Sequence, residues 1–237
     1  MTCGSRPSSR LVLWAAAGVA AVAVLRSASL RWGAQDAEVD AVLPGDDLLP
    51  GADLVATRAI TIRALPQDVW PWLAQLGQGR GGFYSYDALE NLVGLDIHSA
   101  ERVEPQWQDL APGDQVHLAP PVGLDVVTAD PGRALVLRGA VPVGGAPAPY
   151  DFVWAFVLLS GPEEGTTRLV VRERYGYLTR WARPMVEAVE WVSFLMSERM
   201  LRGVRDRAEA AARAAGDATG PGAERAGAGA ARGEDAR

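Results

Sequence analysis

Residues 151–160 read DFVWAFVLLS, residues 166–175 read TTRLVVRERY, and residues 183–215 read RPMVEAVEWVSFLMSERMLRGVRDRAEAAARAA. The first two are β-rich runs, separated by the turn signal Gly161-Pro162. In the second, Leu169, Val171, Glu173 and Tyr175 alternate onto one face, and Arg168, Val170, Arg172 and Arg174 onto the other. The third is unbroken and helical. From Met185 to Met196 it is nearly all apolar apart from Glu187, Glu190 and Ser193, which predicts a widely buried surface, and it becomes amphipathic from Ser197. A block of strands that runs into one long helix therefore closes the folded unit.

Working back along the chain, strands are predicted at Gln115–Ala119, Leu124–Asp130 and Ala134–Ala140, with turns at Pro112-Gly113-Asp114 and Pro131-Gly132. Before them come a strand at Leu54–Ile62, a helix at Gln67–Leu76 with Pro71 tolerated in its first turn, and a second short helix near Tyr86–Val93. Strands in a block, not interleaved with helices, mean α+β. The order is that of the helix-grip arrangement, a curved antiparallel sheet wrapped around a long C-terminal helix with a cavity between them. In such a sheet the first and last strands are antiparallel neighbours. Parity with Ile60 and Ile62 turns Arg58 inward, and parity with Leu169 and Val171 does the same for Glu173, so the two are predicted to be close. The arginines on the opposite face are expected to be solvated.

The 237 residues suffice for one domain plus appendages. Hydrophobic residues make up 49%, and the net charge is −6, which excludes wholesale disorder and argues against a nucleic-acid partner. Cys3 alone forms no intramolecular disulfide. With His98 and His117 as the only histidines, no zinc site built from nitrogen and sulfur ligands is available. No metal and no cofactor is predicted.

At the amino end, Arg6 and Arg10 precede an uncharged run from Leu11 to Leu25, followed by Arg26 and Arg31. Extended to Leu30 with Arg26 snorkelling, this hydrophobic helix predicts a single-pass membrane anchor, with the lipid membrane as partner. The alternatives are a cleaved signal on a secreted protein and a buried helix. The expected organisation is an anchor over residues 1–34, an acidic linker over 35–52, the folded domain over 53–215 and a disordered tail over 216–237. The folded unit has no internal repeat.

Several strings carry a resemblance. Arg80–Asp114 (RGGFYSYDALENLVGLDIHSAERVEPQWQDLAPGD), Arg172–Tyr177 (RERYGY) and Phe194–Glu209 (FLMSERMLRGVRDRAE) resemble segments of bacterial SRPBCC proteins, also called START-like or polyketide cyclase/dehydrase-like. The lead-in Leu30–Asp46, with Arg31-Trp-Gly-Ala34 and Pro44-Gly-Asp46, is similar to the same subgroup. The resemblance covers Leu30–Glu209 and implies the helix-grip fold. It carries no catalytic residue set, because that scaffold hosts lipid carriers, cyclases, hydrolases and plain binding proteins.

Other constellations are less specific. Gly77-Gln-Gly79-Arg-Gly81-Gly82 matches G-x-G-x-x-G but follows a helix, so it reads as a turn or mobile loop at a cavity mouth and not as a dinucleotide fingerprint. Arg80 within it is a candidate contact for an anionic head group. Gly82-Phe-Tyr-Ser85-Tyr lacks the second glycine of a hydrolase elbow. Asp96, His98 and Glu101 form either a carboxylate–imidazole site or a polar loop, and His117 is predicted to point to solvent.

The reading is a membrane-tethered protein that binds a hydrophobic or amphipathic small molecule, lipid or polyketide-like, between sheet and helix. Trp70, Trp154, Phe156, Met185, Val189 and Met196 are the expected wall, with Arg58, Tyr84, Tyr86 and Glu173 as polar contacts. The rival reading is a cyclase- or hydrolase-type enzyme in which Tyr84, Tyr86, Glu173 or His98 moves protons. A ligand-free interaction module is a third.

Overall fold

The computed structural model describes residues 9–92, 94–140, 142 and 147–219. Helix α1 (Ser9–Leu30) and a short helix α2 (Asp36–Asp40) lead into strand β1 (Leu54–Ile62). Helices α3 (Pro66–Ala74) and α4 (Asp87–Leu92) follow. Then come strands β2 (Gln115–Ala119), β3 (Val122–Asp130), β4 (Ala134–Gly139), β5 (Tyr150–Ser160) and β6 (Thr167–Tyr177), and finally helix α5 (Ala182–Thr219). The six strands form one antiparallel sheet in the order β1-β6-β5-β4-β3-β2. The element order and the pairing of the first strand with the last match the sequence reading.

Register explains the shape. β5 and β6 pair along their whole lengths, from Tyr150 opposite Tyr177 to Ser160 opposite Thr167. Register shifts at His117/Ala119 in β2 and Val126/Thr128 in β3 insert extra residues, and bulges of this kind bend a sheet. The inner face, with Leu135, Leu137, Phe156 and Val171, packs on α3 and α5 as one apolar core. Pro71 lies inside α3, in its second turn and not its first, because that helix already begins at Pro66.

The outer face of β6 corrects the expectation of solvated arginines. Arg172 is buried and donates to Thr57 Oγ1, to the carbonyls of Glu38, Val39 and Ala41, and to Asp46. Arg168 pairs with Glu38, and Arg174 with Asp46. The acidic stretch read as a linker is thus docked on the sheet as a covering layer, since its carboxylates and free carbonyls are what three outward guanidinium groups require. Its apolar side chains help: Leu43 packs with Val157 and Val170, and Leu48 and Leu49 with Val136 and Val153. The entry is tight at Gly33, where φ is +69° and a Cβ would stand 2.2 Å from the Ala59 carbonyl oxygen.

The end of α1 overturns the membrane-anchor expectation. Arg26 does not snorkel: its Nε and Nη1 each donate at 2.8 Å, to Glu187 and Glu190 of α5. Ser29 is buried, and its carbonyl accepts from Arg58 Nε at 3.0 Å. Arg26, Ser29 and Leu30 thus turn toward the folded domain, and Leu30 packs against its core. The remaining uncharged run, Leu11–Leu25, rises only about 22 Å as a helix, against a hydrocarbon core of ~30 Å. Among the described residues no helix is long and apolar enough to cross a membrane.

Helix α5 has 38 residues and is about 57 Å long. Its first half buries less than its composition suggests: Val189, Val192 and Leu195 are more than half exposed. A cavity separates this half from the sheet, so only a narrow stripe containing Val186, Glu190 and Ser197 is buried. The helix continues to Thr219, into the stretch expected to be disordered, and the rest of that tail lies outside the described residues.

Candidate functional site

A cavity of about 260 Å³ lies between the inner face of the sheet and the first half of α5. That is slightly below the common range for small-molecule sites, ~300–1,000 Å³. Its sheet wall is aromatic: Phe152 packs at a tilt of 38° on Tyr175, with 4.7 Å between ring centroids, and Trp154 lies 6.3 Å from Phe152. The two β5 residues share a face because β-strand side chains alternate, and Tyr175 meets Phe152 because the two are paired in the sheet register. Helix α5 supplies Val189, Met196 and Met200 opposite. The loop side is closed by Phe83, Leu95 and Ile97.

One end of the cavity is polar. Glu173 reaches it from β6 and accepts four hydrogen bonds. Arg58 Nη1 (2.9 Å) and Ser197 Oγ (2.8 Å) donate to Oε1, and the Tyr175 hydroxyl and Ser193 Oγ donate to Oε2 at 3.0 Å each. Arg58 also pairs with Glu190, which takes a second ion pair from Arg26 and a 3.4 Å hydrogen bond from Ser29 Oγ. Two arginines and two glutamates thus alternate across β1, β6, α5 and α1. A buried carboxylate without such partners would cost several kcal/mol. Burial raises the Glu190 carboxyl above its ordinary range, against the pull of Arg58 and Arg26. Burial, with Glu173 beside it, pushes the Tyr175 hydroxyl well above the usual tyrosine range.

Of the residues expected at the site, Trp154, Glu173, Val189 and Met196 line the cavity. Arg58 stands behind Glu173. Trp70 and Phe156 belong to the core, where α3 covers the sheet, and Met185 is half-buried against that core. Tyr86 is exposed at the surface and does not line the cavity. Tyr84 is buried at φ +56°, donates to the Trp72 carbonyl at 3.1 Å, accepts from Gln75 at 2.9 Å and lies under Arg207. Burial raises its hydroxyl far above the range of a proton-transfer group.

The loop motifs resolve into structure. Gly77 and Gly82 bridge each other, and the amides of Gln78, Gly81 and Gly82 all donate to protein carbonyls, so no nest of free amides faces a phosphate. Arg80 does not meet an anion either, because its Nη2 turns inward to the carbonyls of Ala74 and Trp107. His98 pairs with Asp96 at 3.1 Å on the surface, while Glu101 bonds Arg207. His117 is half-buried rather than facing solvent, with Nδ1 buried and unbonded among the described residues. Among the described residues no group of three or more His, Cys, Asp or Glu could hold a metal ion.

Sequence reasoning missed Glu190, Ser193 and Ser197 as site residues. Their signal was present: they sit three and four apart on the same helical stripe as Val186, Met200 and Val204. Polar residues at core positions of a long helix require buried partners. Arg26 and Ser29 carried no such signal, since nothing local to α1 says what it docks against.

The site and sheet together define an α+β protein with a cavity under a long C-terminal helix. No protein-family model matches the chain, and no curated protein is a significant match. Solved structures are similar in outline only. Protein CV1439 from Chromobacterium violaceum is 12% identical, with a TM-score of 0.40 over 65% of this chain and 96% of its own. CalU16 from Micromonospora echinospora is 16% identical, with a TM-score of 0.32 over 66% and 84%. DynU16, a protein in the dynemicin biosynthetic locus, is 14% identical, with a TM-score of 0.34 over 63% and 46%.

Proposed function

We propose that the chain is a START-like (SRPBCC-type) binding protein that encloses one small, mostly apolar molecule, polyketide-like in size and shape, between its sheet and α5. The observation that carries this reading is the cavity itself: aromatic and methionine walls with a single polar end. The sequence resemblance over Leu30–Glu209 supports the same class. Proton-transfer chemistry has less behind it. Glu173 is saturated by four donors, and Tyr84 and His98 stand outside the cavity, so acid and base groups do not converge on one reacting position.

The test is direct. Prodan, a neutral naphthalene dye, should bind purified protein at one site with a blue-shifted emission. Val189→Trp, at a tolerant half-exposed position in the wall, should abolish binding while leaving the melting temperature unchanged. Native mass spectrometry should show a co-purifying small molecule in the parent and none in the variant. Prodan that binds both proteins equally would refute the reading.

A further inference from the structure

Four of the five hydroxyl groups lining the cavity share one property. Tyr175, Ser193 and Ser197 each donate their proton to Glu173, and Ser85 donates to the Met196 carbonyl at 3.1 Å. A hydroxyl has one proton and two acceptor lone pairs, whereas a carboxylate in an ion pair only accepts. Glu173 therefore fixes the direction of its three hydrogen bonds. Each hydroxyl gives its proton to the protein and faces the cavity as an acceptor.

Charge points the same way. The positive groups behind the polar end, Arg58 and Arg26, are matched by Glu173 and Glu190, with Glu187 a further carboxylate on Arg26. No surplus positive charge faces the cavity. At this polar end a ligand carboxylate or phosphate would be buried against oxygen lone pairs beside a carboxylate, without a cation to pair with. The indole nitrogen of Trp154 offers no remedy, since it is buried with almost no accessible surface of its own.

We infer that this polar end selects neutral ligands that carry a hydrogen-bond donor, an alcohol, phenol or amide N–H, and rejects anions of the same shape. The inference rests on the cavity being a ligand site, as proposed above, and adds the chemistry of the ligand head. Ser193 is the most accessible of the three hydroxyls on Glu173 and is the residue that would contact the donor.

Three naphthalenes of similar size separate the cases in calorimetric titrations of the full chain at neutral pH. 2-Naphthol presents a donor, 2-methoxynaphthalene none, and 2-naphthoate a negative charge. 2-Naphthol should bind about 5–10-fold more tightly than the methoxy compound, the worth of one hydrogen bond, and 2-naphthoate should be the weakest of the three. Ser193→Ala should erase most of the naphthol preference and leave 2-methoxynaphthalene binding unchanged. Ser197→Ala, read alongside it, should do the same in smaller measure. Equal binding of naphthol and its methyl ether, or tight binding of naphthoate, would overturn the inference while leaving the cavity reading intact. So would silence from all three probes in protein that binds Prodan. If Prodan is silent as well, the cavity reading itself falls.

Discussion

Arg58 Nη1 lies 2.9 Å from Glu173 Oε1, although the two residues are not paired in the sheet: Arg58 stands opposite Val171, and Glu173 opposite Ala56. The ion pair is diagonal, which a long guanidinium side chain can span. That offset leaves Arg58 its other arm for Glu190 and its Nε for the Ser29 carbonyl. One arginine on an edge strand thus joins the cavity, α5 and α1.

Removing Arg58 and neutralising Glu173 should therefore differ. Arg58→Ala leaves both Glu173 and Glu190 facing buried space without its guanidinium, and should cost about 3–5 kcal/mol in urea unfolding. Glu173→Gln keeps an oxygen for Arg58 and should cost less. Equal losses would mean that the two residues do not act as a pair.

Trp154 separates packing from polar cost. Its Nε1 is buried without a hydrogen-bond partner among the described residues. Trp154→Ala should lose about 3–5 kcal/mol. Trp154→Phe retains the aromatic wall and removes the orphan donor, so its loss should stay below about 1.5 kcal/mol in the same urea titrations.

Gly203 is where α5 passes the turn that holds Tyr84. A Cβ there would stand 2.2 Å from the Tyr84 carbonyl oxygen and 2.6 Å from its Cβ. Gly203→Ala should destabilise by about 1–3 kcal/mol despite the better helix propensity of alanine. A thermal melt with no downward shift would show that this contact gives way easily.

The covering layer should respond to pH. Burial opposes ionisation of Glu38, but hydrogen bonds from Arg168 and the Gln35 amide outweigh it and hold the carboxyl below its usual value of 4.5. A carboxyl depressed in the folded state adds stability above its unfolded pKa, and that stability is lost as pH falls through the folded value. Glu38→Gln should thus cost about 1.5–3 kcal/mol at neutral pH and progressively less below pH 4.5. A pH-independent difference in urea midpoints would contradict the assignment.

Much of this architecture was legible in the linear pattern. A continuous β-rich apolar run marked β5 and period-two alternation β6, a strand block before an unbroken helix defined the class, and parity alone turned Arg58 and Glu173 to the same side. These are local properties, set by how side chains alternate along a strand or recur around a helix, so a window of ten residues contains them. What a window cannot contain is which distant segment covers a face. The arginines of β6 looked solvated because their partners, Glu38 and Asp46, lie more than a hundred residues earlier. The helix ending at Leu30 looked like a membrane span because hydropathy registers Arg26 as a charge to be carried, not as one awaiting Glu187 and Glu190 on α5. Arg26, Arg58, Glu173 and Glu190, scattered along the chain, become a neutral and largely buried network in three dimensions. Desolvation makes such groups affordable only in each other's company, and folding alone brings them together.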